Sequence, residues 1–221
     1  MTIPLHLAIQ PDRFAHPPAP KTADGQPVAV PGRFLAGLLY VTSVTLVNFL
    51  ASGMSAHMIG LLGGLGLAAG AAVWISTLRG IGQSSARLCD VLFGGRLHPT
   101  ALNLIATGAL PICFVAGLFG GLVPAAIAFA FLYGAGNGLL TITRGTLPLV
   151  LFDPRTYGAL VGRLLVPSFF LSAAAPLVYA VVIERFGDAA ALAMSLGIAL
   201  VIVAAGIVLY ARFGRGPSSA P

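Results

Sequence analysis

Six long apolar stretches follow one another between residues 34 and 210, separated by short turns that contain glycine, proline or charged residues. Each runs for about 20 residues or more, the length of helix that crosses the hydrocarbon core of a bilayer. Charged residues make up only 8% of the chain, whereas soluble domains contain roughly 25%. The sequence therefore predicts an all-α integral membrane protein with six transmembrane helices. Their predicted ranges are Phe34–Leu62, Leu65–Phe93, Thr100–Leu118, Leu122–Leu151, Tyr157–Ile183 and Ala189–Tyr210.

Two terminal segments flank these helices. Residues 1–33 contain the proline-rich run Pro17–Pro20 and scattered charges, a composition that buries too little apolar surface to order itself. No uninterrupted apolar core follows a basic start in this segment, so we expect no signal peptide. The predicted domains are a Pro-rich N-terminal tail (1–33), a six-helix transmembrane domain (34–213) and a short C-terminal tail (214–221).

The basic residues of the loops predict the orientation in the membrane. Six spans place both termini on one side, and the segments on that side carry seven basic residues against one, Arg185, on the other. Because basic loops remain cytoplasmic, both termini are predicted to be cytoplasmic. The seven residues are Arg13, Lys21, Arg33, Arg96, Arg155, Arg212 and Arg215.

Polar residues are distributed unevenly among the predicted helices. The sixth helix is the most uniformly apolar, and we expect it to be peripheral and lipid-facing. The second half of the second helix carries Arg79, Gln83, Arg87 and Asp90. Lipid therefore cannot surround this helix on every side.

Arg79 is the most informative of these residues. It lies ~21 Å along a straight helix from Leu65, with no acidic residue within four positions on either side. One interpretation is that its guanidinium attracts an anionic group of a solute. The alternative is that the side chain extends to the cytoplasmic headgroups.

The fourth predicted helix contains a glycine-rich stretch, Tyr133–Pro148, with Asn137 and Arg144 inside it. Gly134 and Gly138 form a small-xxx-small pair, which allows two helix backbones to approach closely. An arginine in hydrocarbon costs anything from ~3 to ~10 kcal/mol, so Arg144 is expected to face a bundle interior, a watery cavity or the headgroups.

Three segments resemble transporters of the major facilitator superfamily, and in particular the C-terminal half of such a transporter. They are Arg87–Pro99, Tyr133–Pro148 and Tyr157–Arg163. In Arg87–Pro99 an acidic residue, Asp90, is followed by a Gly95-Arg96 turn, as in the superfamily's signature, although this turn has one basic residue where the signature has several. The resemblance covers about residues 33–213 and six helices. It implies half of a major-facilitator-like fold in a bacterial inner (plasma) membrane.

Transporters of this superfamily alternate access by rocking two six-helix halves about a site between them. The resemblance therefore implies that the chain pairs with a second copy or with another half-size chain, unless it is a truncated gene product. In the superfamily the first and fourth helices line the cavity, with the second and fifth beside them. By helix order, the implied solute-binding residues are Asn48, Arg79, Gln83, Tyr133 and Asn137, and the implied gating residues are Asp90, Arg96, Arg144 and Arg163.

The gating assignment of Asp90 has an alternative, and His57, outside these assignments, has two interpretations. Asp90 could latch the cytoplasmic side by contacting Arg144, or it could pair with Arg87, three residues away on its own helix. His57 could relay protons, but a lone histidine near a helix end is more often found at the membrane interface.

The resemblance favours a half-size transporter subunit for a small solute. The alternative is a non-transporting membrane subunit that packs against or assembles a larger complex. We expect no enzymatic activity and no cofactor, because the chain has no HExxH, GxSxG or GxxxxGK[ST] motif. Cys89 and Cys113 lack metal-ligand spacing, and the basic residues fit membrane orientation rather than nucleic-acid binding. The expected partners are lipid, a second six-helix half and a small solute.

Overall fold

The computed structural model describes residues 32–93, 97–152 and 157–214. This part of the chain contains six helices: α1 (Arg33–Gly64), α2 (Ala69–Phe93), α3 (Pro99–Leu118), α4 (Val123–Leu151), α5 (Tyr157–Phe186) and α6 (Asp188–Phe213). The predicted all-α architecture is confirmed. The largest difference from a predicted helix end is four residues, at the start of α2. The predicted terminal tails, apart from Gly32, Arg33 and Gly214, lie outside the described residues, as do Arg96 and Arg155.

Local sequence explains the helix boundaries. Gly66 adopts a φ of 105° in the turn between α1 and α2, a conformation that glycine accepts without steric cost. His98 caps α3, because its Nδ1 accepts a hydrogen bond from the Thr100 amide. Pro99 then occupies the first turn of α3, where its missing N–H is not needed. Gly187, with a φ of 84°, separates α5 from α6.

Five of the six described helices are long and apolar enough to cross a membrane: Phe34–Gly64 of α1, all of α3 and α4, Leu165–Phe186 of α5, and all of α6. The chain is thus a multi-pass membrane protein by the length and composition of its helices. The 25-residue α2 is long enough but is not among the five. Its polar second half, with Arg79, Gln83, Arg87 and Asp90, accounts for the difference.

Helix α4 lies at the centre of the packing, against α2 on one side and α3 on the other, while α3 also packs against α6. Glycines allow α4 and α2 to touch backbone to backbone. A Cβ on Gly134 would collide with the Arg79 carbonyl, and one on Gly138 would lie 2.7 Å from the Gln83 carbonyl oxygen. The close approach predicted for this glycine pair is confirmed, and its partner is α2.

Helix α6 is less buried than α1, α3 and α4, as expected for a peripheral helix, but α5 is less buried still. Within the most apolar part of each helix, 39% of residues are buried in α6 but only 17% in α5. Helix α6 is held against α3, where Gly206 meets the side chain of Thr107. The least buried of the five apolar helices is therefore α5, because apolar composition does not distinguish a lipid-facing surface from a protein-facing one.

Candidate functional site

Arg79 reaches from α2 to neutral groups on two other helices. Its Nη2 donates a 2.8 Å hydrogen bond to Ser55 Oγ on α1. Its guanidinium carbon lies 6.0 Å from the centre of the Tyr133 ring on α4, within the range of a cation–π contact. Tyr133 is buried and Ser55 is exposed, so this arginine reaches sideways to neighbouring helices and its contacts lie at the edge of the packed bundle.

The helix boundaries place Arg79 near the middle of α2. It comes ten residues after Ala69, the first residue of α2, which corresponds to about 15 Å. Its partner Ser55 lies nine residues before the end of α1, about 14 Å from that end. Arg79 therefore lies about 15 Å along α2 from the end of the bundle at which this helix begins.

Tyr133 belongs to the aromatic core rather than to an open surface. It is 1% exposed, and its ring centre lies 5.7 Å from that of Phe114 and 6.2 Å from that of Phe129. Among the residues that the structure describes, its hydroxyl has no hydrogen-bond partner. The contact of this predicted site residue with Arg79 therefore comes through the face of its ring.

Asn48 and Arg144 lie together, although the sequence assigned them different roles. Arg144 Nη1 donates to Asn48 Oδ1 at 3.3 Å, and Asn48 Nδ2 donates to Ser168 Oγ at 2.6 Å. One amide thus joins α1 to α4 and α5. Ser172 Oγ adds a longer contact, 3.5 Å, to the Asn48 carbonyl.

The Arg144 side chain is directed towards the interior of the bundle. Its backbone carbonyl accepts a 2.9 Å hydrogen bond from the Tyr40 hydroxyl, whereas its guanidinium meets Asn48, two turns further along α1. This direction follows from the way helical side chains lean towards the helix N-terminus. Arg144 lies seven residues from the end of α4, but its guanidinium lies further from that end than its backbone does, beside Asn48.

The other predicted site residues are less connected. Gln83 and Asn137 are half-buried, on α2 and α4. Asp90 is half-buried near the end of α2, and Arg87 Nη2 donates to Thr141 Oγ1 of α4 at 3.0 Å. Arg96 and the side chain of Arg163 lie outside what the structure describes, so both gating assignments remain predictions.

His57 joins α1 to α5. Its Nε2 donates a 2.9 Å hydrogen bond to the Pro176 carbonyl, and its ring is nearly parallel to that of Tyr179, with centres 6.1 Å apart. Both contacts tie the ring to its protein surroundings.

Sequence reasoning missed Ser43, Asn103 and Thr143, which line a small cavity between α1, α3 and α4 together with Tyr40, Asn48 and Arg144. A signal existed in α1, because Tyr40, Ser43, Val47 and Asn48 follow the spacing of one helix face. Asn103 is an isolated amide in an apolar helix, and nothing in its own segment indicates a partner.

No protein-family model matches this chain, and none of the curated proteins compared with it matches either. Within the described residues, no three His, Cys, Asp or Glu side chains are grouped so as to hold a metal ion. The chemistry that the described side chains offer is therefore that of arginines, amides and hydroxyls inside a membrane bundle. Such groups bind anions and polar solutes.

Proposed function

We propose that the chain is a half-size, major-facilitator-like transporter subunit that pairs with a second six-helix half and moves a small anionic solute by alternating access across a bacterial inner membrane. The polar character of α2 is the main support. Five helices are apolar enough to span the bilayer. The remaining helix, α2, carries two arginines and an acidic residue, yet it packs along α4. In this proposal α2 also spans the membrane, and both termini are cytoplasmic.

A polar spanning helix needs protein or water beside it, because charged groups in hydrocarbon are costly. Arg79 and Arg87 satisfy part of this need through Ser55 and Thr141. The Arg87 side chain is nevertheless exposed in the isolated chain. A second half packed beside α2, or a water-filled path between the halves, would cover it.

The surface of α5 also supports a partner. In the arrangement implied by the resemblance, the second and fifth helices lie at the interface between halves. Helix α5 is the least buried of the five apolar helices, and its Phe169 and Phe170 are 64% and 73% exposed. We propose that these rings pack against the second half.

The charges inside the bundle favour an anionic solute. Arg79 lies near the middle of α2 and Arg144 is directed inwards, whereas the acids of the described helices, Asp90, Glu184 and Asp188, lie near helix ends. An interior with this imbalance attracts negative charge. We propose Arg79 as the solute's charge partner, with Gln83 and Asn137 as half-buried amides near its path.

A specific observation favours the second candidate, a non-transporting assembly subunit. The backbones of α2 and α4 are in contact at Gly82, Gly134 and Gly138, and Arg79 is held by Ser55 and Tyr133. Such contacts give a rigid scaffold without any need for a solute path. This subunit would use the same exposed faces to hold another membrane protein.

Reconstituted proteoliposomes distinguish the two candidates. We expect concentration jumps of acetate, benzoate or phosphate to evoke currents on a solid-supported membrane, and native mass spectrometry in lipid to show a dimer. Arg79→Ala should remove the currents. Arg185→Ala, which alters an exposed arginine at the end of α5, should leave them unchanged.

The assembly candidate gives the opposite results. The chain would then co-purify with a larger membrane complex, carry no current with any of these anions, and depend on Arg79 for stability alone. A strictly monomeric chain in lipid would contradict the paired transporter.

A further inference from the structure

A cavity of about 20 Å³ lies between α1, α3 and α4, room for roughly one water-sized occupant. It lies at the end of the bundle where α3 begins, since Asn103 is the fifth residue of that helix. Its polar lining comes from all three helices and its apolar lining from α1 and α4. The lining residues are Tyr40, Ser43, Val44, Val47, Asn48, Asn103, Leu140, Thr143, Arg144 and Leu147.

Two polar atoms of this cavity's lining residues are buried without a partner. Ser43 is 5% and Asn103 is 3% exposed, and neither Ser43 Oγ nor Asn103 Nδ2 has a hydrogen-bond partner in the described part of the chain. Buried polar atoms in native proteins almost always have a partner, from the protein or from a bound species. The pair therefore indicates an occupant that accepts hydrogen bonds.

Arg144 determines the sign of the charge that this occupant carries. It is the one charged residue among those that line the cavity, and its guanidinium offers five N–H donors. The hydrogen bond described for this guanidinium goes to the neutral Asn48 Oδ1. A positive charge beside an amide N–H and a free hydroxyl favours an anion and opposes a cation.

The remaining hydroxyls of the lining do not change this assignment. Tyr40 donates to the Arg144 carbonyl, and Thr143 Oγ1 donates to the Leu140 carbonyl at 3.2 Å. Both hydroxyl protons are therefore already used. The donors left for an occupant are those of Ser43, Asn103 and Arg144, together with the second N–H of Asn48 Nδ2, of which one N–H is used by Ser168.

We propose that this cavity holds one monatomic anion, with chloride as the natural occupant, bound by Ser43, Asn103 and Arg144. The volume is too small for an organic anion, so this is a resident counter-charge to Arg144 and not the solute path proposed above. The proposal does not depend on transport. A single water molecule is the competing occupant.

Halide-dependent stability tests the proposal on the full chain in detergent. We expect the unfolding temperature to rise saturably, on the order of 3 °C, when chloride or bromide replaces gluconate at constant ionic strength. Ser43→Ala and Asn103→Leu should abolish this rise. Thr45→Ala should retain it, because Thr45 is a similarly buried, unpartnered hydroxyl on the same helix that lines a different cleft.

A structural readout keeps the test decisive even if a variant fails to fold. Crystals of the unaltered chain soaked in bromide should show an anomalous peak between Ser43, Asn103 and Arg144. A density peak without anomalous signal identifies water and overturns the proposal. Equal unfolding temperatures in chloride and gluconate, or an unchanged halide response in folded Asn103→Leu, overturn it as well.

Discussion

The hydroxyl of Tyr40 replaces a backbone donor that the chain itself has removed from Arg144. In an α-helix the carbonyl of residue 144 would accept from the N–H of residue 148, but residue 148 is a proline inside α4 and has no N–H. Tyr40, on α1, donates to this carbonyl at 2.9 Å. Pro148 leaves the Arg144 carbonyl without its helical donor, and Tyr40, 108 positions away from the proline, supplies a donor from α1. This hydrogen bond joins α1 to α4.

Tyr40→Phe should therefore destabilise the protein. The change leaves a carbonyl without a donor, which costs about 1–3 kcal/mol of unfolding free energy. In a Pro148→Ala background the alanine N–H supplies the missing helical hydrogen bond, so Tyr40→Phe should cost less than about 1 kcal/mol there. Denaturation in mixed micelles measures all four combinations.

Tyr210→Phe is the matched control, because Tyr210 is 43% exposed and should tolerate loss of its hydroxyl. Equal costs of Tyr40→Phe with and without Pro148 would show that the two residues do not act together.

Gly134→Ala should force α2 and α4 apart. The new methyl group would collide with the Arg79 carbonyl, and overpacking of this kind costs about 1–3 kcal/mol. Gly145→Ala is the control on the same helix, since nothing lies within 4 Å of its added Cβ. It should be neutral or slightly stabilising. Thermal unfolding in detergent compares the two, and equal midpoints would contradict a glycine-dependent contact.

The number and ends of the helices could be predicted from the sequence because the bilayer length and the turn residues are local signals. Which face of each helix is buried could not, since in a membrane an apolar residue suits lipid and protein equally well. This is why the most apolar helix, α6, was expected to face lipid, whereas the least buried of the five apolar helices is α5. The Gly134–Gly138 pair was the exception, because small residues at a fixed spacing indicate a contact directly.

In the candidate site, too, single residues could be predicted from the sequence but their contacts could not. Arg79 stood out because a charge in an apolar helix is rare, whereas its partners Ser55 and Tyr133 became visible only when three helices were packed together. The contact between Asn48 and Arg144 joins residues 96 positions apart, and no local pattern encodes it. Asn103 lies in an otherwise apolar helix, and its place in the cavity lining depends on residues of α1 and α4 that are distant in sequence.

Thiol labelling should report the orientation of α2. Cys89 is exposed and Cys113 is buried, and Cys89 lies four residues before Phe93, about 6 Å from the end of α2. With cytoplasmic termini, that end of α2 faces the cytoplasm. A membrane-impermeant maleimide should therefore label the protein in inside-out vesicles and not in intact cells. Cys89→Ser should abolish labelling until the protein is unfolded and Cys113 becomes accessible. Labelling in intact cells would contradict the predicted cytoplasmic termini.

Asn48→Asp should supply Arg144 with an internal counter-charge. The guanidinium already donates to Asn48 Oδ1, and a carboxylate at that position would accept from it more strongly, while the Ser168 hydroxyl can reverse its role and donate. We expect a higher unfolding temperature in gluconate and loss of the chloride-dependent rise, because the carboxylate repels a bound anion. Asn48→Ser, which removes the amide without adding charge, should be less stable but keep its chloride response. A full chloride response in Asn48→Asp would show that Arg144 does not bind the anion.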